Sequence, residues 1–252
     1  MGGPWRWCLA HPDDACVRRG GHGGAIRRRP RLPPSSSTPP TALPRRSARL
    51  PATRERRRRS AAGRTGRHGS RSVRVPGSRH RWLGLDDGQV SEAPGLEDRI
   101  AQILAEERPD VVGTFGPDGM TGHPDHIAVG AATDAAFHRL RGGPGFRRLL
   151  HGAMPESVFQ RWNASRVRRG ERPWDPSAVY DLRGVPDEQI AMSVDVSRVA
   201  DRIIAGLREH RSQAHVIGTA PDEVWATSVS MEHYVVAWPL GETGLTDVFE
   251  GL

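Results

Sequence analysis

The chain has 252 residues, a formal charge of +8 and a sequence pI of about 11.0, a length that accommodates one large α/β domain or two small ones. No apolar run approaches the roughly 18–20 residues of a membrane span. Two cysteines, Cys8 and Cys16, are too few for a disulfide framework and point to a reducing cytoplasm, while the net charge alone would suggest nucleic acid or an anionic surface as partner.

In chain order, Trp5–Ala10 reads as a short buried strand that ends at His11. The preceding "MGGPWRWCLA" has too short an apolar core for a secretory signal. From Cys16 to His80 the chain changes character, with 19 Arg against a single acid, Glu55. The stretch "RRRPRLPPSSSTPPTALPRRSARLPATRERRRRSAAGRTGRHGS" within it has no Phe, Tyr or Trp. Such a segment cannot bury enough apolar surface to offset chain entropy, and its composition predicts disorder. The rest of the chain is mildly acidic, so the basic total belongs to this one segment.

Order is expected again near "HRWLGLDDG" (His80–Gly88). Leu96, Ile100, Ile103 and Leu104 recur at helical spacing, and Pro109 stops that helix. "DVVGTF" (Asp110–Phe115) is a β-branched apolar run and predicts a buried strand. "GPDGMTG" reads as a loop, and "HPDHIAVGAATDAAFHRL" as a helix with Pro124 in its first turn, where proline is tolerated. "RRLLHGAM" predicts a strand and "PESVFQRWNASRVRRG" a helix. Gln189–Val196 predicts a strand and "SRVADRIIAGLREHRSQ" an amphipathic helix buried through Val199, Ile203, Ile204 and Leu207. "MEHYVVAWP" predicts the last strand. Helices alternating with buried strands predict an α/β fold with a mainly parallel sheet.

Two segments carry chemistry. "AHPDDA" (Ala10–Ala15) and "DGMTGHPDHIAVG" (Asp118–Gly130) share His-Pro-Asp, and each places a metal-ligand type three residues after the His: Asp14 after His11, and His126 after His123. Both sit where a predicted strand ends, and in open α/β sheets the ligand site lies beyond the carboxyl ends of the strands. His11, Asp14 and His126 then offer two imidazoles and a carboxylate, a set that suits one Zn²⁺ with a position left for water. Asp13 is the candidate base for that water. His123 is the candidate for stabilising the oxyanion as a cation or protonating the leaving amine, with Asp125 to orient it and hold it protonated. The plain alternative for a single His-Pro-Asp is a helix start capped by a polar residue. Two copies, each with a ligand at the same offset and each at a strand end, favour the metal reading. Cys8 and Cys16 flank the first motif, and Cys8 fits the core of the first strand better than a ligand position.

These residues resemble the PIG-L/LmbE family of zinc-dependent de-N-acetylases. "AHPDDA" corresponds to the family's AHPDDE, and "RPDVVGTFGPDGMTGHPDHIAVG" is similar over its whole length. "WLGLDDG", "LREHRSQ" and "MEHYVVAWP" are similar to segments of the actinobacterial branch that includes the mycothiol enzymes. The resemblance covers residues 1–15 and 80–252. It implies a Rossmann-like fold, one zinc per chain, and hydrolysis of an N-acetyl group from a glucosamine-type sugar or its conjugate. It also implies zinc ligation by His11, Asp14 and His126, the base role for Asp13, and the transition-state role for His123 beside Asp125.

Two departures stand out. Ala15 occupies the position of the family's Glu. Residues 16–79 lack the helix, second strand and substrate-facing loops that the resemblance implies there, although the spacing between the motifs is kept. An inserted linker lengthens such a gap, whereas replaced sequence does not. Out-of-frame reading of a GC-rich gene would yield this Arg-, Pro- and Ser-rich text, and all 37 basic residues of the chain are Arg. The chain thus divides into the first strand and motif (1–15), a basic low-complexity segment (16–79) and the remainder of the catalytic domain (80–252). The leading expectation is a deacetylase acting on a small amino sugar conjugate. A member of the same family impaired by the loss of core structure is the second, and a nucleic-acid-binding protein acting through its Arg-rich segment is the third.

Overall fold

A computed structural model of the chain describes residues 5–8, 81–210 and 222–252. The expectations for the first His-Pro-Asp motif and for the basic segment 16–79 lie outside the described residues.

The described residues form an α/β fold around one five-stranded sheet. In chain order its elements are β1 (Trp5–Trp7), α1 (Leu96–Glu107), β2 (Val111–Phe115), α2 (Pro124–Leu140), β3 (Arg148–Ala153) and α3 (Glu156–Arg168). They continue with β4 (Met192–Asp195), α4 (Ala200–Arg208), α5 (Asp222–Ser228) and β5 (Met231–Trp238). The strands lie in the order β1-β2-β3-β5-β4. β1, β2 and β3 pair in parallel, whereas β5 runs antiparallel to both β3 and β4. The sheet is therefore mixed, with four of its five strands pointing one way and β5 reversed, within the mainly parallel α/β class that the alternation of helices and strands predicted.

The central strands are apolar on both sides because both faces are covered. Val111 and Leu150 point into one core with Met192, Val194, Ile203, Leu207, Tyr234 and Val236. Val112 and Leu149 point into the other with Ile100, Leu104, Val129, Phe137 and Phe146. The second core is built by α1 and α2. α1 buries Leu96, Ile100, Ala101 and Leu104, one stripe at helical spacing, and it ends where Arg108 turns left-handed (φ 45°) ahead of Pro109. An ion pair between Arg6 of β1 and Glu107 at the end of α1 joins this helix to the sheet edge, and the guanidinium holds the Glu107 carboxyl below the usual carboxylate range.

α2 lies unusually close to β2. It buries Val129, Gly130, Thr133, Ala136 and Phe137, mostly small residues, against the strand it follows. At Gly130 a Cβ would stand 2.6 Å from the Phe115 carbonyl oxygen, a backbone atom that cannot swing away. Gly130→Ala is therefore expected to lower stability by about 1–3 kcal/mol through overpacking, despite the better helix propensity of alanine. A urea titration checks this, and an unchanged or higher midpoint would show that the helix can lift off the strand at no cost.

A buried cation fixes the chain's last turn. Arg148, fully buried in β3, donates from Nε and Nη2 to the two Glu242 carboxylate oxygens at 2.8 and 2.9 Å. Its Nη1 and Nη2 also donate to the Val248 and Glu250 carbonyls, each at 2.8 Å. This one side chain ties the segment after β5 to the middle of the sheet.

Candidate functional site

β2 is buried at every position and ends at Phe115, at the carboxyl edge of the parallel strands. β1 reaches the same edge, since Trp7 lies opposite Gly113 and Cys8 N–H donates to the Gly113 carbonyl at 2.9 Å. The loop from Gly116 to Gly122 then carries the chain to α2. It is tight: Gly119 N–H donates to Gly116 O and Gly122 N–H to Asp118 O, each at 2.9 Å. Gly119 has φ +61°, and a Cβ there would lie 3.1 Å from the Cβ of His126. Only glycine combines that backbone with that space.

His123 caps α2. Its Nδ1 accepts the Asp125 backbone N–H at 3.1 Å, and Pro124 opens the helix. A backbone N–H can only donate, so Nδ1 carries a lone pair and the ring in this geometry is neutral with its proton on Nε2. His126 has the opposite tautomer. Its Nδ1 lies 2.9 Å from the Gly119 carbonyl, which can only accept, so Nδ1 holds a proton and, in the neutral ring, Nε2 is the nitrogen with the lone pair. The rings are stacked, with centroids 4.8 Å apart and planes 11° from parallel. Phe115 stacks on His126 at 4.1 Å, so the strand end fixes the ring plane.

Asp125 is fully buried in the first turn of α2. Its Oδ2 accepts the Gly88 N–H at 2.7 Å and its Oδ1 accepts the Val90 N–H at 3.1 Å. Two amide donors at the positive end of the helix dipole thus satisfy both oxygens of this buried side chain. They also fasten residues 86–90 over the start of the helix. Asp87 on that segment is exposed, and its carboxylate comes within 4.8 Å of ligand atoms of His123 and Asp125.

The fourth wall comes from residues 169–186, after α3. Tyr180 N–H donates to the Thr121 carbonyl at 2.8 Å and Arg183 N–H to the Met120 carbonyl at 2.9 Å. The Tyr180 ring meets His123 edge-on at 5.0 Å. This segment is anchored at its base. Asn163 of α3 accepts the Trp174 N–H at 2.7 Å and donates to the Trp174 carbonyl at 3.0 Å, and Arg166 lies over the Trp174 ring at 4.4 Å. Asp181, buried, accepts from Arg172 and from the Asp175 N–H, and the Arg172 guanidinium is the main reason its carboxyl stays below the usual range.

Of the residues singled out in the sequence, His123, Asp125 and His126 stand together at the start of α2. The contact between His123 and Asp125 runs through the Asp125 backbone N–H, while the Asp125 carboxylate is bound to Gly88 and Val90. His11, Asp13 and Asp14 lie outside the described residues. Sequence reasoning gave no role to Asp87 or Arg183, and it took Tyr180 only as part of "WDPSAVYDL", a segment able to shape the pocket or an oligomer interface. "LDDG" carried a signal, a paired acid followed by glycine ahead of a helix, whereas Arg183 carried none. Cys8 is half-buried and packs against the core built by α1 and α2.

The chain is similar in sequence and in overall fold to known proteins. Residues 36–137 match the family model described as PIG-L, GlcNAc-PI de-N-acetylase, a match that begins inside the Arg-rich segment. The chain is 34% identical over 201 residues to a Saccharomonospora viridis protein named 1D-myo-inositol 2-acetamido-2-deoxy-alpha-D-glucopyranoside deacetylase, covering 69% of this chain and 72% of that one. It is 32% identical over 175 residues to a Saccharopolyspora erythraea protein named as deacetylase 1 for the same compound, covering 65% of this chain. The chain spans 57% of the length of that Saccharopolyspora protein. In overall fold it is similar to the crystal structure of a conserved protein from Thermus thermophilus, with a TM-score of 0.53 at 19% identity over 94% of this chain and 96% of that one.

Proposed function

Because the chain belongs to the PIG-L family of de-N-acetylases, we propose that it is a zinc-dependent amide hydrolase that removes the acetyl group from an N-acetylglucosamine joined to an inositol. The observation that carries this reading is the opposed pair of tautomers at the start of α2. A metal-binding histidine typically donates its second ring N–H to a backbone carbonyl, and His126 does so to Gly119. His123 offers the reverse, a proton on Nε2.

The donors present fit a metal. Asp87, His123 and Asp125 bring ligand-type atoms within 4.8 Å of one another. The hydrogen bonds favour a different division. Both Asp125 oxygens take backbone N–H groups and the His123 Nδ1 lone pair is taken too. His126 is therefore the better ligand, with His11 and Asp14 completing the set. Support for that completion comes from β1, which arrives at the same edge as β2 with Cys8 three residues before His11, a span of at most about 11 Å. Bound zinc supplies Lewis acidity at this edge, acidifying water and polarising the acetyl carbonyl.

The chain's own groups do the rest. Asp13 takes a proton from the attacking water and hands it to the departing nitrogen, while His123, neutral in this geometry, offers its Nε2–H as a hydrogen bond to the oxyanion that forms on the acetyl carbonyl. Water adds to the acetyl carbon, the C–N bond breaks, and acetate and a free amine leave. Two cysteines in the whole chain, too few for a disulfide framework, support action in the cytoplasm.

Metal analysis and acetate release from N-acetylglucosaminyl-inositol test this directly. About one zinc per chain is expected, with activity lost to a chelator and restored by zinc. His126→Ala is expected to weaken metal uptake by about 10- to 100-fold. Full zinc content and full activity in that variant would remove His126 from the ligand set. A folded protein that takes up zinc but releases no acetate would favour the second reading, an inactive member whose segment 16–79 replaces working structure.

A further inference from the structure

We infer that Tyr180 and Arg183 select the substrate by holding the hydroxyl-bearing saturated ring attached to the amino sugar, an inference that rests on the deacetylase reading above. Neither residue belongs to the His-Pro-Asp motifs, and the loop that bears them reaches the site from beyond α3.

The first observation is strain at an exposed aromatic residue. Tyr180 has φ 75°, a left-handed conformation that a bulky L-residue rarely adopts. Its N–H bond to Thr121 and the anchored loop around Asp181 impose that backbone. Two-thirds of the residue is nonetheless exposed, so packing does not reward the strain. The ring stands edge-on to His123, at the mouth of the site, with Val179 also exposed beside it in sequence. Backbone strain of this kind gathers at binding sites, where position is worth more than local comfort. An aromatic face in such a place is suited to the C–H face of a saturated ring.

The second observation is a cation with donors to spare. The Arg183 guanidinium lies so close over Gly122 that any Cβ there would collide with it, at 2.1 Å from Nη2. Its one hydrogen bond from the side chain among the described residues is a long one, from Nη2 to the Ala178 carbonyl at 3.5 Å. Nε is sealed from solvent with no acceptor among the described residues. Native proteins seldom leave a buried donor unsatisfied, and no carboxylate pairs with Arg183 among the described residues. The guanidinium stands one residue from His123, and its backbone is pinned to Met120. Its unfilled need is for oxygen acceptors, which a ring of hydroxyls supplies in a fixed array. Tyr180 gives such a ring a face and Arg183 binds its edge.

Two variants test this without removing the motif. Arg183→Met keeps the aliphatic stem over Gly122 and removes the donors. Tyr180→Gly removes the ring while admitting φ 75° without strain, so the fold is kept or stabilised. With N-acetylglucosaminyl-inositol, each variant is expected to raise KM about tenfold while kcat stays within about twofold. With methyl N-acetylglucosaminide, which lacks the second ring, KM is expected to move less than about twofold. Equal changes for both substrates, or a fall in kcat alone, would overturn the inference. If the parent protein cleaves neither compound, the deacetylase reading fails by itself. Calorimetric titration with glucosaminyl-inositol then decides the role of the two residues. About tenfold weaker binding by the variants sustains it. Equal binding by parent and variants, or no binding by the parent, rejects it.

Discussion

Replacing His123 by Asn is expected to lower kcat for deacetylation by about 10²- to 10³-fold while leaving the protein as stable as before. The substitution separates two tasks performed by one side chain. As the cap of α2, His123 accepts the Asp125 N–H, and asparagine is among the best residues at that position. The melting temperature should therefore shift by no more than about 2 °C. As a hydrogen-bond donor to the oxyanion, His123 presents Nε2–H on the far side of the ring, and the shorter asparagine has no donor that reaches there. Stacking on His126 is lost as well, but Phe115 still covers the other face of that ring. The expected signature is a large loss of kcat with zinc content intact. A variant that retains kcat within threefold of the parent would remove His123 from the chemistry and leave it as a helix cap.

Replacing Arg148 by Met is expected to reduce stability by about 3–5 kcal/mol, the largest loss anticipated for a single position away from the site. The cost does not come from the attraction itself. Taking a guanidinium and a carboxylate out of water is expensive, and a well-packed apolar pair would hold the same volume at least as well. Removing one partner is another matter. Glu242 loses both of its bidentate contacts, and the Val248 and Glu250 carbonyls lose their donor together. Arg148 has no exposed side-chain surface and the Glu242 side chain is 27% exposed, so water can reach the acid only in part. Urea titration checks the figure. The double variant Arg148→Met with Glu242→Leu should recover part of the loss, since it removes the buried cation and its partly buried partner together. A single variant less than about 1 kcal/mol below the parent would mean that the final segment relaxes and rehydrates the acid.

Much of the architecture was legible in the residues. The apolar stripe of Leu96, Ile100 and Leu104 named α1, and Pro109 stopped it. The β-branched run at Val111–Val112 named a strand that is buried throughout. His-Pro-Asp placed a capped helix start and gathered His123, Asp125 and His126 there, because a cap, a proline at the first position and an acid in the first turn are all local signals. Within the site, the tautomers were not legible. They depend on which backbone group each Nδ1 meets, and Gly119 reaches His126 only because the loop turns left-handed.

The sequence by itself determined the α/β class, the positions of most helices and strands, the family resemblance and the second motif's place at a strand end. Those features are written in residues close together in the chain, where periodicity, caps and turn residues act. The tertiary structure alone decided the insertion of β5 between β3 and β4, the seizure of Glu242 by Arg148 and the clamp of Asp125 on Gly88 and Val90. It alone brought Tyr180 to His123, 57 positions earlier in the chain. Contacts of that kind are settled by which surfaces remain uncovered once local elements have formed, and hydrophobic burial has no direction of its own. Local pattern says what each segment is, and only packing says whom it meets.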